Sequence, residues 1–143
     1  MKNKVFFLYA DGGSRGNPGP AGIGAVILDA KKKKVKEIYK YIGEVTNNNA
    51  EYNALICALE EAGNLGADEV IVNLDSELVV KQLNGEYRVK NSDIKPLFEK
   101  AVSALKNFKS FEIRHIDRSK NKDADKLVNK AINLSSLLSH RVD

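Results

Sequence analysis

The run Val5-Phe6-Phe7-Leu8-Tyr9-Ala10-Asp11-Gly12-Gly13 decides the fold class. Its first six residues are aromatic, β-branched or otherwise apolar, and Asp-Gly-Gly follows at once, so it reads as a strand ending in a turn. Gly16-Asn17-Pro18-Gly19-Pro20 extends that turn with residues that preset φ or tolerate positive φ. Beyond it, residues 23–28 read as a second strand, 29–34 as a polar turn and 35–42 as a third strand. Three strands joined by short turns form an antiparallel meander.

Further along, the period changes. Leu55, Ala58, Leu59 and Ala62 recur at three- and four-residue spacing, which predicts a helix over 50–62. Thr46 and the asparagines Asn47, Asn48 and Asn49 are its N-cap candidates, and Gly63 or Gly66 its end. Residues 70–74 form a short, nearly continuous apolar run, as expected of a strand covered on both faces. Helices are predicted over 76–83 and 94–105, the latter capped by Ser92 or Asp93 with Pro96 in its first turn. Residues 108–116 alternate as a strand, and 122–138 form an amphipathic helix; the tail 135–143 receives no role. Strands linked by helices in the second half imply parallel pairing, so the sheet is mixed and the class is α/β.

A chain of 143 residues suits one domain, 1–143. Hydrophobic residues make up 43% and charged residues 29%, which is too apolar for a disordered chain. The opening apolar stretch is far short of a membrane span, and no charged-then-apolar leader precedes it. Cys57 stands alone, which leaves no internal disulfide and no multi-cysteine zinc site. A reducing cytoplasm is the expected compartment, with neither a membrane nor an obligate protein partner, and a monomer.

Four acids fall where the core should be. Val5, Phe7, Tyr9 and Asp11 share one face of the first strand, so Asp11 ends an apolar row. Ile71, Asn73 and Asp75 do the same at the next apolar strand. Glu51, four residues before Leu55, extends the inward stripe of its helix by one turn. Asp125, three before Val128 and seven before Ile132, extends the stripe of the last helix. Each acid has a plainer reading: Asp11-Gly12 as a turn pair, Asp75-Ser76 as a helix cap, Glu51 as a complement to the macrodipole, Asp125 as a solvated helix residue. Jointly they are harder to dismiss, because four separate elements aim an acid at one rim, where ligands of α/β proteins gather.

Four carboxylates that converge repel one another unless a positive charge intervenes. No Lys or Arg occupies the matching strand positions, so hard divalent cations are the natural counter-charge. An all-oxygen donor set suits Mg²⁺ or Mn²⁺ rather than zinc. Two such ions can hold an attacking water and a leaving oxygen in line across a phosphodiester. Outside these acids, 15 acidic residues face 23 basic ones, about +8, which suits a polyanionic partner. The lysines 31–34 invite a phosphate contact, but a hairpin turn makes a solvated loop the better reading.

At these residues the sequence resembles type 1 ribonuclease H. The matching segments are Tyr9-Ala10-Asp11-Gly12-Gly13-Ser14-Arg15-Gly16-Asn17-Pro18-Gly19-Pro20-Ala21-Gly22, Thr46-Asn47-Asn48-Asn49-Ala50-Glu51-Tyr52, Asp75-Ser76 and Asn121-Lys122-Asp123-Ala124-Asp125-Lys126-Leu127. They follow the family's order and span nearly the whole chain. The resemblance implies a ribonuclease H-like fold: a five-stranded mixed sheet, three strands antiparallel and then two parallel, with helices on both faces. It implies an endoribonuclease cleaving the RNA strand of RNA/DNA hybrids with two metal ions, Mg²⁺ or in its place Mn²⁺, leaving 5′-phosphate and 3′-hydroxyl ends. Asp11, Glu51, Asp75 and Asp125 would be the catalytic metal ligands, with Asp11 shared by both ions and Glu51 helping to place the RNA 2′-hydroxyl. Gly12 and Gly13, with Gly16, would let the backbone approach the RNA strand. Asn17, Asn47, Asn48 and Ser76 would contact the substrate.

Three departures from the family pattern stand out. The loop before the last helix, Ile116-Asp117-Arg118-Ser119-Lys120, lacks the His and Gly found in many relatives; His115 falls within the strand, and Arg118 is the candidate replacement cation. Residues 84–96 are too short for the basic protrusion of some relatives. Glu77 stands where a Gln is common, and the family's amino-terminal hybrid-binding module does not precede the catalytic pattern. The alternatives are a related metal-dependent nuclease acting on double-stranded RNA or structured DNA, and a catalytically silent hybrid-binding module.

Overall fold

A computed structural model describes residues 3–142, with side chains through residue 138. The elements run β1 (Val5–Ser14), β2 (Gly19–Leu28), β3 (Lys34–Val45), α1 (Asn47–Asn64), β4 (Glu69–Leu74), α2 (Glu77–Leu83), α3 (Lys95–Leu105), β5 (Ser110–His115), a single 3₁₀ turn (Arg118–Lys120) and α4 (Lys122–Val142). The sheet order is β3-β2-β1-β4-β5, with β1–β2 and β2–β3 antiparallel and β1–β4 and β4–β5 parallel. This is the mixed five-stranded sheet implied by the resemblance. Helix α1 covers one face of β1 and β2, with α3 against it, and α4 packs across β2, β3 and β1.

The strands are longer than their apolar runs. Asp11-Gly12-Gly13 is not a turn: β1 continues through it to Ser14, paired with Ala21–Gly24 of β2. Two ladders with different ends explain this. The β1–β4 pairing stops at Ala10↔Leu74, whereas the β1–β2 pairing goes on. Asp11 is therefore the first β1 residue beyond the end of β4, paired with β2 alone. The row Val5, Phe7, Tyr9, Asp11 is also not the main core row. Phe6, Leu8 and Ala10 are the buried ones, packed with Leu55, Ala58 and Leu59 of α1, while Val5, Phe7 and Tyr9 are half-covered.

Helix ends are set by side chains. Thr46 alone caps α1, its hydroxyl accepting from Asn49 N at 3.2 Å, so Asn47–Asn49 form the first turn and Glu51 sits in the second. Gly63 stays helical; Gly66, at φ +82°, turns the chain out, a backbone conformation that suits glycine. Ser76 caps α2. Neither Ser92 nor Asp93 caps α3; the Asn91 carboxamide accepts from Asp93 N and Ile94 N instead. Helix α4 absorbs most of the tail that lacked an assignment; Asp143 lies outside the described residues, as do the side chains of His140 and Arg141. Among the described residues, no helix is long and apolar enough to cross a membrane.

The core polar contacts are few and paired. Tyr52, fully buried in α1, donates to Gln82 Oε1 at 2.6 Å and meets the Phe98 ring edge-on. Lysines 31–33 stay in the β2–β3 turn and Lys34 opens β3; the Asp29 carboxylate accepts from Lys31 N and Lys33 N, and Lys32 lies over the Phe7 ring. That is the solvated hairpin.

Candidate active site

Four elements deliver one acid each to a common cleft of about 380 Å³: Asp11 from β1, Glu51 from α1, Asp75 just past β4 and Asp125 from the first turns of α4. Asp11 and Asp75 sit side by side because β1 and β4 end their pairing together, at Ala10 and Leu74. The helices reach the strands through glycines. A Cβ on Gly12 would lie 2.1 Å from the Ala50 carbonyl oxygen and 2.6 Å from Glu51 N. On β2, a Cβ at Gly24 would lie 2.3 Å from Ala124 O, and one at Gly22 would lie 2.9 Å from Val128 O. Missing side chains thus seat α1 against β1 and α4 against β2, and carry Glu51 and Asp125 up to Asp11.

This corrects the reading of Gly12. Its lack of a side chain serves helix packing, not approach of a nucleic acid, since α1 backbone already fills the space. Gly13 differs: a Cβ there would make only ordinary contacts, 3.6 Å from Val128 Cγ1 and 3.7 Å from Asn47 Oδ1, and it lines the cleft. Gly16, at φ +104°, belongs to the β1–β2 turn.

Electrostatically the cleft is strained by like charge. Burial lifts the Asp11 carboxyl to about 8, aided by the charge of Asp75, the Asp125 carboxyl within hydrogen-bonding reach, and Glu51. Burial lifts Glu51 to about 7, further raised by Asp75 and opposed by hydrogen bonds from Ser76 and Asn47. The Asn47 Nδ2–Glu51 Oε1 distance is 3.3 Å. Asp125 faces Arg118, whose Nη2 stands 3.9 Å from Oδ1 on a side chain 82% exposed. Among the described residues, no three acids, histidines or cysteines are gathered tightly enough to form a ready-made metal cage. The acids ring an opening, with Asp11 and Asp125 within reach of each other but no three drawn into a tight cluster among the described residues. The acidic donor set is oxygen only and its four acids outnumber the cleft's two arginines, Arg15 and Arg118, so it fits a hard divalent cation rather than a soft one.

The other candidate residues divide. Gly12, Gly13, Asn47 and Arg118 line the cleft; Ser76 lines a small recess shared with Asp11, Glu51 and Asp75. Asn17 and Asn48 do not line it. Asn17 Oδ1 accepts from Asn47 N at 2.9 Å, tying the β1–β2 turn to α1. His115 ends β5, exposed and outside the cleft, and Glu77 pairs with Lys81 at 2.6 Å. Ser14, Asn129 and two residues with polar contacts of note, Arg15 and Asn121, escaped the sequence reading as site residues. Arg15 lines the cleft and donates to Asn129 Oδ1 at 3.3 Å. Asn121, 1% exposed, donates to Asp75 Oδ2. The signal for Asn121 was available: it stands four residues before Asp125, one helical turn.

A family model described as reverse transcriptase-like matches residues 9–131. A bifunctional protein of Mycobacterium tuberculosis is 44% identical over 130 residues, 90% of this chain but 36% of that protein. Ribonuclease HI of Halobacterium salinarum is 43% identical over 87% of this chain and 62% of its own length. The chain thus spans between about a third and two-thirds of these relatives. The crystal structure of that archaeon's RNase H1 superposes with a TM-score of 0.88 at 41% identity, covering 90% of this chain and 98% of the solved one. LC11-RNase H1, solved in complex with RNA/DNA hybrid, superposes with a TM-score of 0.86 at 47% identity over 91% and 98% of the two chains.

Proposed function

The chain belongs to the type 1 ribonuclease H family, and from that premise we propose that it is an endoribonuclease that hydrolyses the RNA strand of RNA/DNA hybrids. One observation carries the reading: four carboxylates, from β1, α1, the end of β4 and α4, open on a single cleft and outnumber the two arginines, Arg15 and Arg118, that share it. In this reading Asp11, Glu51, Asp75 and Asp125 hold two Mg²⁺ ions, for which Mn²⁺ substitutes. Divalent cations held there would offset the phosphodiester charge and lower the pKa of a water, so that it loses a proton readily and becomes the nucleophile. The attacking water would give up a proton to solvent as its oxygen bonds to phosphorus and the bond to the 3′ oxygen breaks, and that oxygen would take a proton from solvent; the products would be a 5′-phosphate and a 3′-hydroxyl.

The chain's own groups supply position. Asn47 and Ser76 hold the Glu51 carboxylate from two sides, fixing the acid nearest the α1 rim. Gly13 and Ser14 at the end of β1, with Arg15 just beyond it, line the cleft where the RNA strand would lie. Arg118, on the only 3₁₀ turn among the described residues, offers a mobile-length cation beside Asp125 in place of the family's loop His. We place the protein in a reducing cytoplasm, acting as a monomer within one domain, on the strength of its single cysteine and self-contained core.

The test is cleavage of one sequence as RNA/DNA hybrid, double-stranded RNA and double-stranded DNA, with and without Mg²⁺. Hybrid alone should be cut, in the RNA strand, and chelator should abolish the reaction. Cleavage of double-stranded RNA at equal rate would favour the broader nuclease; binding without cleavage would favour a silent module. Arg118→Ala should slow turnover while hybrid affinity holds; unchanged turnover removes Arg118 from the mechanism.

A further inference from the structure

Asn121 lies between the 3₁₀ turn and α4 and is buried to 1% exposure. Its Nδ2 donates to Ala10 O at 3.0 Å and to Asp75 Oδ2 at 3.1 Å, spanning 111 and 46 residues of sequence. Its backbone carbonyl accepts from Asp125 N at 3.1 Å. One residue therefore touches Asp75 directly, the peptide next to Asp11 on β1, and the backbone of Asp125. The two acceptors fix the orientation of the carboxamide, because the reverse would set oxygen against both of them. Its Oδ1 has no partner among the described residues, a cost the fold accepts to keep both donors on their targets.

We propose that Asn121 is a positioning residue for the cation site: it fixes the Asp75 carboxylate relative to β1 and to the start of α4, so that the acids meet a cation at ligand distance. A group that orients a metal ligand commonly changes affinity by about 10–100-fold when lost. The proposal rests on the metal-site reading above. A merely structural role, filling the space under α4, predicts a lower melting temperature and nothing else.

The experiment measures Mn²⁺ binding by titration calorimetry, hybrid cleavage with Mg²⁺, and melting temperature for the parent, Asn121→Leu, Asn121→Ala and Gln82→Leu. Leu keeps the volume and adds no charge. Gln82→Leu breaks the buried bond to Tyr52, away from the cleft, and controls for lost stability. Asn121→Leu should bind Mn²⁺ at least about tenfold more weakly and lose at least about tenfold in kcat, with the hybrid KM within twofold; Gln82→Leu should change neither. Parent-like Mn²⁺ affinity in a folded Asn121 variant overturns the inference alone. A parent that binds no Mn²⁺, or binds it equally as Asp11→Asn, overturns the underlying reading. Should neither Asn121 variant fold, the unmodified protein decides: the Asn121 side-chain amide resonances should shift with Mg²⁺ along with the Asp75 backbone amide, and a stationary Asn121 signal refutes the proposal.

Discussion

Asp11 is the residue most out of balance with its surroundings. Its carboxyl titrates near 8 rather than near 4 because burial and the neighbouring acids disfavour its charge. Glu51 shares the direction, at about 7. Over this interval the folded, cation-free protein keeps protons that the unfolded chain releases, so its stability falls as pH rises from about 4 to about 8. A divalent cation reverses the sign, since it binds the ionised form and displaces the protons. Melting curves should therefore fall between pH 5.5 and 8.5 without metal, and Mg²⁺ should raise them more at pH 8.5 than at 5.5. Asp11→Asn should abolish most turnover yet raise the metal-free folding stability at pH 8.5 by about 1 kcal/mol or more. A variant no more stable than the parent at that pH would show that Asp11 is not destabilised by its own charge.

At the scale of elements, the site depends on how closely two helices approach the sheet. Gly12 seats α1 and Gly24 seats α4, each by offering the helix backbone the space of a side chain. Gly24→Ala forces a methyl onto the Ala124 carbonyl, which no rotamer relieves; it should cost about 2–3 kcal/mol and about 10 °C, with activity lost through the displaced Asp125. Gly13→Ala is the contrast. Its methyl meets only ordinary contacts, so folding stability should change by less than about 0.5 kcal/mol. If the RNA strand runs along β1 there, the hybrid KM should nevertheless rise several-fold; an unchanged KM would place the strand elsewhere.

For the molecule as a whole, a cleft of acids sits in a chain whose remaining residues carry about +8. Affinity for hybrid should come chiefly from phosphates neutralised outside the cleft, with counterions released. Measured with Asp11→Asn to prevent cleavage, and with about four phosphates contacted, affinity should fall about 100-fold between 50 and 200 mM salt. A flat salt response would separate this surface from hybrid binding.

Strand and helix identities were legible because both faces of the sheet are covered and each helix shows one apolar stripe, so a local period reports burial. The four acids stood out in the sequence because each prolongs an apolar row of its own element. What local pattern could not carry was anything set by two elements at once. That β1 runs on past Asp11 follows from β2 pairing beyond the point where β4 stops. That Gly12 answers to α1 rather than to a ligand, and that Asn121 joins Asp75 to β1, depend on contacts across 38 and 111 residues of chain. The sequence by itself determined which elements form and which residues interrupt their apolar faces, because periodicity is local. Only the tertiary structure decided what those residues touch, because close approach of backbones and the pairing of buried polar groups exist only once distant segments share a place.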